Sequence, residues 1–389
     1  MSDRNHLAWP FFEPRHRELA EALDNWCADN CADRYSDDLD SECRMLVREL
    51  GAAGFLKLCV ANGDARPDVR SLAIARETLA YNSALADFAF AMQGLGSGAI
   101  SLFGTVEQKR DWLPRVAAGE AIAAFAMTEP ESGSDAANIQ TSAMREGNEW
   151  VLVGEKTLIS NGGIADFYVT FARTGEGEGA RGLSAFIVPS EVEGLTIAER
   201  IEVIAPHPLA RLKYDNVRLP ASSIIGENGE GFRIGMETLN LFRVTVGAAA
   251  LGFARRALDE AVSFAKKRRL GTKALADNGV TQAKLADMAL DIDASALLVY
   301  RAAWQQDEGG TDNRRAAAMA KLHSTEAAGR VIDCAVQIHG GAGVTRGVKV
   351  EELYRDIRAL RIYEGASEVQ RQIIARDILR DPISSRGRP

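Results

Sequence analysis

Cysteine is scarce: five residues among 389, with no CxxC, exclude a disulfide framework and suit free thiols in a reducing compartment. Cys27 and Cys31 share a helix face, while Cys43, Cys59 and Cys334 are scattered. His6, His16, His207, His323 and His339 are equally dispersed, so no metal site is expected. Positive charge is in deficit too. With 46 Lys and Arg against 54 Asp and Glu, the formal charge of -8 and pI near 5.4 speak against nucleic acid or a membrane surface as partner. No apolar run approaches a membrane span, and Met1 to Pro10 lacks the basic start and apolar core of a signal peptide. The expected location is the cytoplasm. Internal repeats are also absent.

What the chain has is apolar material, 46% of its residues, ample for two or three cores. Residues 1–120 carry helical spacing, as in Leu19, Leu23 and Trp26, and Thr105 to Gln108 has the capping-box pattern of a short helix ending near Pro114. The segment Gly94 to Gly98 is expected as a tightly packed loop between helices. From 121 to 228 the period changes to short alternating or continuous β runs at 121–127, 149–153, 167–173, 183–188 and 211–217. These predict a compact β barrel or sandwich. Gly177 to Gly182 matches GxGxxG by spacing, but it lies between strands and carries Glu, so it is a hairpin loop and no dinucleotide fingerprint. Residues 229–389 return to long helices near 231–268, 282–308, 314–337, 351–362 and 367–380. Val246 to Ala254 has no charged face, which predicts a helix surrounded by others in a bundle and a homo-oligomer. The fold class expected is α+β multidomain: an N-terminal helical domain, a central β-barrel domain and a C-terminal four-helix bundle.

Four stretches offer chemistry. Met127-Thr128-Glu129-Pro130-Glu131-Ser132-Gly133-Ser134-Asp135 ends a strand in hydroxyls and free N–H groups. Lys156 to Gly163 repeats that offer about 25 residues on, so one shared ligand explains both better than two plain turns do. Gln337-Ile338-His339-Gly340-Gly341-Ala342-Gly343 interrupts helices with glycine, either for close backbone approach to a ligand or as an ordinary helix end. Arg361 to Ser367 sets one carboxylate, Glu364, in an apolar turn. Ser367 and Gln370 have capping-box spacing, with Ile373, Ile374 and Ile378 expected inward. Lost solvation would raise the Glu364 pKa and the helix N-terminus would lower it, a balance the sequence leaves open. A solvated loop Glu is the commoner outcome for one such position alone.

Together the stretches resemble the acyl-CoA dehydrogenase family over nearly the whole chain. The matching residues are Met-Thr-Glu-Pro with Gly-Ser-Asp at 127–135, Ile-Ser-Asn-Gly-Gly at 159–163, Gln-Ile-x-Gly-Gly-x-Gly at 337–343 and Ile-Tyr-Glu-Gly at 362–365. The resemblance implies FAD-dependent removal of hydrogen from Cα and Cβ of an acyl-CoA to give a trans-2-enoyl-CoA, with electrons passed to an electron-transferring flavoprotein, and a homotetramer. It makes Glu364 the base; a second family position for that base is here Phe242, which cannot serve. It places the flavin against Met127, Thr128, Leu158, Ser160 and Ala366, and gives Gln337, Gly340 and Gly341 to the FAD of a neighbouring subunit. Arg268 is the basic residue assigned to the pyrophosphate. Ser134, Arg243, Tyr363, Gly365 and Arg376 are the substrate contacts it implies, and arginine suits the phosphates of CoA.

Several positions depart from the family pattern. Leu158 stands where Trp is usual beside the flavin, Ala366 replaces a Thr, and Asn240 a frequent Asp. Lys267 to Lys273 is altered, with Gly279 where Gln is common. Two other activities of this fold stay open: an acyl-CoA oxidase or flavin monooxygenase using oxygen, and a non-catalytic flavin-binding relative. The acidic balance disfavours DNA for the last.

Overall fold

The change of period along the chain becomes, in a computed structural model, helices, a sheet, and helices again; residues 4–31, 38–61, 63, 66–309 and 313–380 are described. Helices α1 (Pro14–Asn30), α2 (Leu39–Ala52), α3 (Val69–Asn82), α4 (Ala84–Phe103) and α5 (Val106–Ala117) come first. Strands β1 (Ala123–Ala126), β2 (Ser142–Glu146), β3 (Glu149–Ser160), β4 (Phe167–Arg173), β5 (Leu183–Pro189), β6 (Leu195–Arg200), β7 (Leu209–Pro220) and β8 (Ile224–Ile225) follow. Then come α6 (Gly231–Lys267), α7 (Gly279–Asp307), α8 (Arg314–His339), α9 (Lys349–Leu360) and α10 (Ser367–Arg380). The chain forms two compact units: one holds Met1–Ala32, Val69–Ala84 and Arg243–Pro389, the other Asp33–Asp68 and Leu85–Phe242.

The second unit is built on the sheet. Its order is β6-β7-β3-β2-β4-β5-β8, with β1 added in parallel to β4. Among the described residues the end strands β6 and β8 do not pair with each other, so the expected barrel is an open sheet. β4 and β5 are buried along almost their whole length because both their faces are covered; Phe167, Val169, Phe171, Ala185 and Ile187 pack with Ile100, Leu113 and Ile234 of the flanking helices. β3 is longer than its apolar start at 149–153 indicates. It pairs with β7 through Ser160, with register shifts at Leu152/Gly154 and Lys156/Ile159 that absorb its polar stretch.

Gly94 to Gly98 is not a loop: it lies inside α4. A Cβ on Gly94 would stand 2.6 Å from the Phe242 ring, and one on Gly96 2.7 Å from the Ala123 backbone. The glycines therefore let other elements close on a continuous helix. The Thr105 box forms, with Thr105 Oγ1 accepting from Gln108 N at 3.2 Å and Gln108 Oε1 accepting from Thr105 N at 3.1 Å. Such a cap contributes about 1 kcal/mol. The helix it opens runs past Pro114 to Ala117.

In the first unit, α6 is buried without a break from Arg243 to Ala254, as its uncharged sequence predicts. Gly247 admits Val299 of α7 and Ala320 of α8, and Gly252 admits the Glu77 carbonyl of α3. α8 also packs against α7, α9 and α10. α7 starts at Gly279, a few residues before its apolar period, because the Asn278 side chain accepts from Val280 N at 2.9 Å. Buried Glu77 accepts from Arg255 Nε at 2.7 Å and from the Tyr300 hydroxyl, so this all-helical core closes around a satisfied carboxylate.

Candidate functional site

In the second unit, the two hydroxyl-rich turns meet. Thr157 N donates to Thr128 O at 2.9 Å, which ties the end of β1 to the kinked part of β3. Beneath the junction lies fully buried Lys156, whose Nζ donates to Glu129 Oε1 at 2.8 Å and to Met127 O at 3.1 Å. Glu129 also accepts from Gln140 N at 2.6 Å and Thr141 N at 2.9 Å. Burial raises the Glu129 pKa, but Lys156 and the amides outweigh it and hold the group below the usual carboxylate range. Burial pulls Lys156 down to about 8 against the opposing pull of Glu129. At neutral pH this is an ammonium–carboxylate pair clamping both turns.

Above the clamp the surface suits a planar, polar-edged ligand. Met127 is buried; Thr128 and Ser160 are half-buried, and neither hydroxyl has a protein partner among the described residues. Leu158 has φ 55° and leaves 54% of its surface exposed, so a large apolar side chain is held outward in a strained conformation. Asn161, next to Ser160, is fully buried, its Nδ2 donating to Ala123 O at 2.9 Å while Oδ1 has no hydrogen-bond partner. Exposed apolar surface, two available hydroxyls and rigid backbone fit the edge and face of a flavin. Ser134 is exposed beyond the Glu129–Ser132 bridge.

In the first unit, α9 stops at Leu360 and α10 begins at Ser367, with Glu364 between them, half-buried at φ 51°. The expected capping box does not form. Ser367 Oγ donates instead to Glu326 Oε1 at 2.6 Å, and Gln370 Nε2 turns back to Gly365 O at 2.8 Å and Glu364 O at 3.3 Å. Buried Gln370 thus satisfies two carbonyls of the turn that precedes α10. Gly365, at φ 89°, sits where a side chain is strained, and a Cβ there, 2.6 Å from Gln370 Nε2, would push that amide away. Tyr363 is exposed and Ala366 half-buried; Ile378 points outward, 55% exposed, contrary to its expected inward place.

Two cations flank Glu364. Arg243 of α6 is buried, which lowers its pKa, and Glu364 opposes that shift. Lys321 of α8 is fully buried and donates to Gly365 O at 2.8 Å. Burial draws its pKa down to about 8; Glu364 resists and Arg243 adds to the fall. The sequence reasoning missed Lys321. The available signal was a lysine at the inward period of α8, next to Ala317, Ala318 and Ala320, on a face that otherwise carries no Lys, Arg, Asp or Glu.

The remaining positions separate into two places. Phe264 and His339 stack at 4.3 Å between ring centroids, which brings the last turns of α6 and α8 together. Arg268, just past α6, and exposed Gln337, Gly340 and Gly341 therefore share one end of the bundle. The helix break falls at Gly340, φ 59°, followed by a 3-10 turn over Gly340–Val344. Arg376 is exposed on α10. No helix among the described residues is long and apolar enough to cross a membrane.

Comparison with known proteins adds to this geometry. Residues 13–120, 124–217 and 229–379 match the acyl-CoA dehydrogenase N-terminal, middle and C-terminal domains. The chain is 36% identical over 379 residues to a 3-(aryl)acrylate reductase of Clostridium sporogenes, covering 95% of this chain and 100% of that protein. It is 39% identical over 339 residues to the human mitochondrial short-chain specific acyl-CoA dehydrogenase, covering 86% of this chain and 82% of the relative. Among solved structures it is similar to butyryl-CoA dehydrogenase of Megasphaera elsdenii, with TM-score 0.87 and 32% identity over 95% of this chain and 99% of that one.

Proposed function

The chain belongs to the acyl-CoA dehydrogenase family of FAD-dependent oxidoreductases, and from that premise we propose that it oxidises an acyl-CoA thioester to its trans-2-enoyl form with Glu364 as the base. The observation that carries the reading is the Glu364 turn: a carboxylate held in a left-handed conformation, half-buried, beside two buried cations. Glu364 takes the α proton of the acyl chain. Bound FAD supplies the acceptor for the β hydride. A base so positioned contributes roughly 10²- to 10⁴-fold to the rate. Arg243, buried beside it, loses solvation that the Glu364 charge partly makes good.

Thr128, Leu158 and Ser160 are the flavin contacts in this reading, and the open hydroxyls and exposed Leu158 support it. Arg268 meets the FAD pyrophosphate, and Gln337, Gly340 and Gly341 meet the FAD of a neighbouring subunit; Ser134, Arg243, Tyr363, Gly365 and Arg376 meet the substrate; Met127 and Ala366 are the remaining flavin contacts. A homotetramer in the cytoplasm, divided at 1–120, 121–228 and 229–389, belongs to the same reading. On α7, Leu290, Leu297 and Trp304 recur at seven-residue spacing and are exposed, an apolar seam suited to a second copy. The electron-transferring flavoprotein is the proposed acceptor; rapid peroxide release in air would favour an oxidase instead.

Glu364→Gln is the test. The variant should keep its yellow flavin and lose anaerobic bleaching by straight, branched and cyclic acyl-CoAs, short straight chains being tried first given the short-chain relatives. Full bleaching would move the base elsewhere. A second reading, reduction of an aryl acrylate, is favoured by the full-length match to the clostridial reductase. Reoxidation of the dithionite-reduced flavin by a free aryl acrylate, with no response to enoyl-CoA, would replace the first reading.

A further inference from the structure

Lys321 is a charged side chain that the reaction above leaves unused, and it is fully buried. It stands on α8 among Ala317, Ala318, Ala320 and Ala328, where an ammonium loses its hydration. The groups it meets compensate that loss. Its Nζ donates to Gly365 O at 2.8 Å, and the same carbonyl takes a second bond from Gln370 Nε2 at 2.8 Å. Gly365 follows Glu364, and the two residues have φ 89° and 51°. A carboxylate-bearing residue adopts that conformation only where its neighbours enforce it. Here the enforcement comes from α8 and α10, one donor from each.

We propose that Lys321 is a positioning residue for the dehydrogenation: by holding the Gly365 carbonyl it fixes the turn that carries Glu364 and so aims the carboxylate at the substrate α-carbon. This rests on the reading of Glu364 as base. The charges facing Lys321 are Glu364 from the turn, Arg243 from α6, Glu326 from α8 and Glu368 from α10. Burial draws its pKa to about 8, so the ammonium is present below that pH and is lost as pH rises through it. The hold weakens in that direction, since a neutral amine is the poorer donor.

The experiment uses the FAD-loaded protein and Lys321→Met, with Lys321→Gln as a second variant that keeps a neutral donor. Three readouts are taken: anaerobic flavin reduction by an acyl-CoA from pH 6 to 10, flavin content, and hydrogen exchange of the segment 361–370. Lys321→Met should retain flavin, exchange faster at 361–370 and reduce its flavin about 10- to 100-fold more slowly, the scale of a misplaced reacting group. The wild-type rate should fall as pH rises through about 8, and that limb should vanish in Lys321→Met. Lys321→Gln should recover part of the rate without the limb. Unchanged exchange in both variants overturns the proposal whatever Glu364→Gln does. So does a wild-type rate, or a retained limb, in Lys321→Met. Full activity in Glu364→Gln with faster exchange in Lys321→Met sinks the assignment of the base and leaves the hold on the turn standing.

Discussion

Removing Lys156 from its pair with Glu129 tests the clamp under the two hydroxyl-rich turns. In Lys156→Met the Glu129 carboxylate stays buried and keeps its amide donors at 2.6 and 2.9 Å, but nothing balances its charge. Breaking a buried pair from one side costs ~3–5 kcal/mol, and the surviving amides put this case at the low end, about 3 kcal/mol. Glu129→Gln is the milder change. The stranded Lys156 is drawn to about 8 even with Glu129 opposing the fall, so without that carboxylate it sheds its proton in the folded protein at pH 7 for at most about 1.4 kcal/mol. The double variant, with neither charge, should recover much of the loss.

For a unit of about 200 residues, 1 kcal/mol moves the melting midpoint about 2–4 °C. Lys156→Met should therefore melt about 6–12 °C lower and lose flavin on gel filtration, because Met127 O is no longer pinned to β3 and the junction keeps only the backbone bond from Thr157 N to Thr128 O. Circular dichroism melts of wild type, both single variants and the double variant form the cycle. A Lys156→Met midpoint within about 2 °C of wild type, or a double variant no more stable than that single one, would refute the clamp.

Two further outcomes follow from the first unit. Gly252→Ala puts a Cβ 2.2 Å from the Glu77 carbonyl, backbone that cannot swing aside, so despite better helix propensity it should cost ~1–3 kcal/mol and lower the melting midpoint; a rise would mean α3 and α6 separate freely. Burial raises the Glu77 pKa, but His6, Arg255 and the Tyr300 hydroxyl together bring it below the usual value. Its contribution is thus present above about pH 4.5 and lost as pH falls through the lower folded value, and Glu77→Gln should flatten the melting midpoint over that acid window.

Where local period and local motif sufficed, the sequence was legible. Thr105 and Gln108 cap their helix because both partners lie within one turn, and Val246 to Ala254 has no face fit for water. The four family stretches brought out Glu364, Leu158 and Ser160 because each lies in an unbroken run of signature residues. What failed depended on distant partners. Gly94 to Gly98 looks like a loop until Phe242, about 150 residues on, is seen filling the space that side chains would take. Ser367 prefers Glu326 to its own helix terminus, and no spacing rule reports a carboxylate on another helix. Lys321 escaped notice since its partner, a backbone carbonyl, carries no sequence signature.

The same dependence on distant partners explains how the candidate site keeps its shape. Four described residues other than glycine have positive φ: Leu158, Asn161, Asn216 and Glu364. Asn tolerates that region, but Leu and Glu cost about 1–3 kcal/mol there. A buried lysine lies within a few positions of the first in sequence and bonds the turn that holds the second. Lys156, two positions before Leu158, holds Met127 O; Lys321 holds Gly365 O, one position after Glu364. Burial draws each lysine to about 8, and each also faces a carboxylate, Glu129 or Glu364. A neutral buried donor would serve packing as well at lower desolvation cost, so stability alone does not account for ammonium at both places. A charged donor grips a carbonyl more firmly than a neutral one, and a strained peptide needs the firmer grip. The two units thus reach the same device separately, each spending burial energy of a lysine to grip a backbone carbonyl of a candidate-site turn, Met127 O in one and Gly365 O in the other.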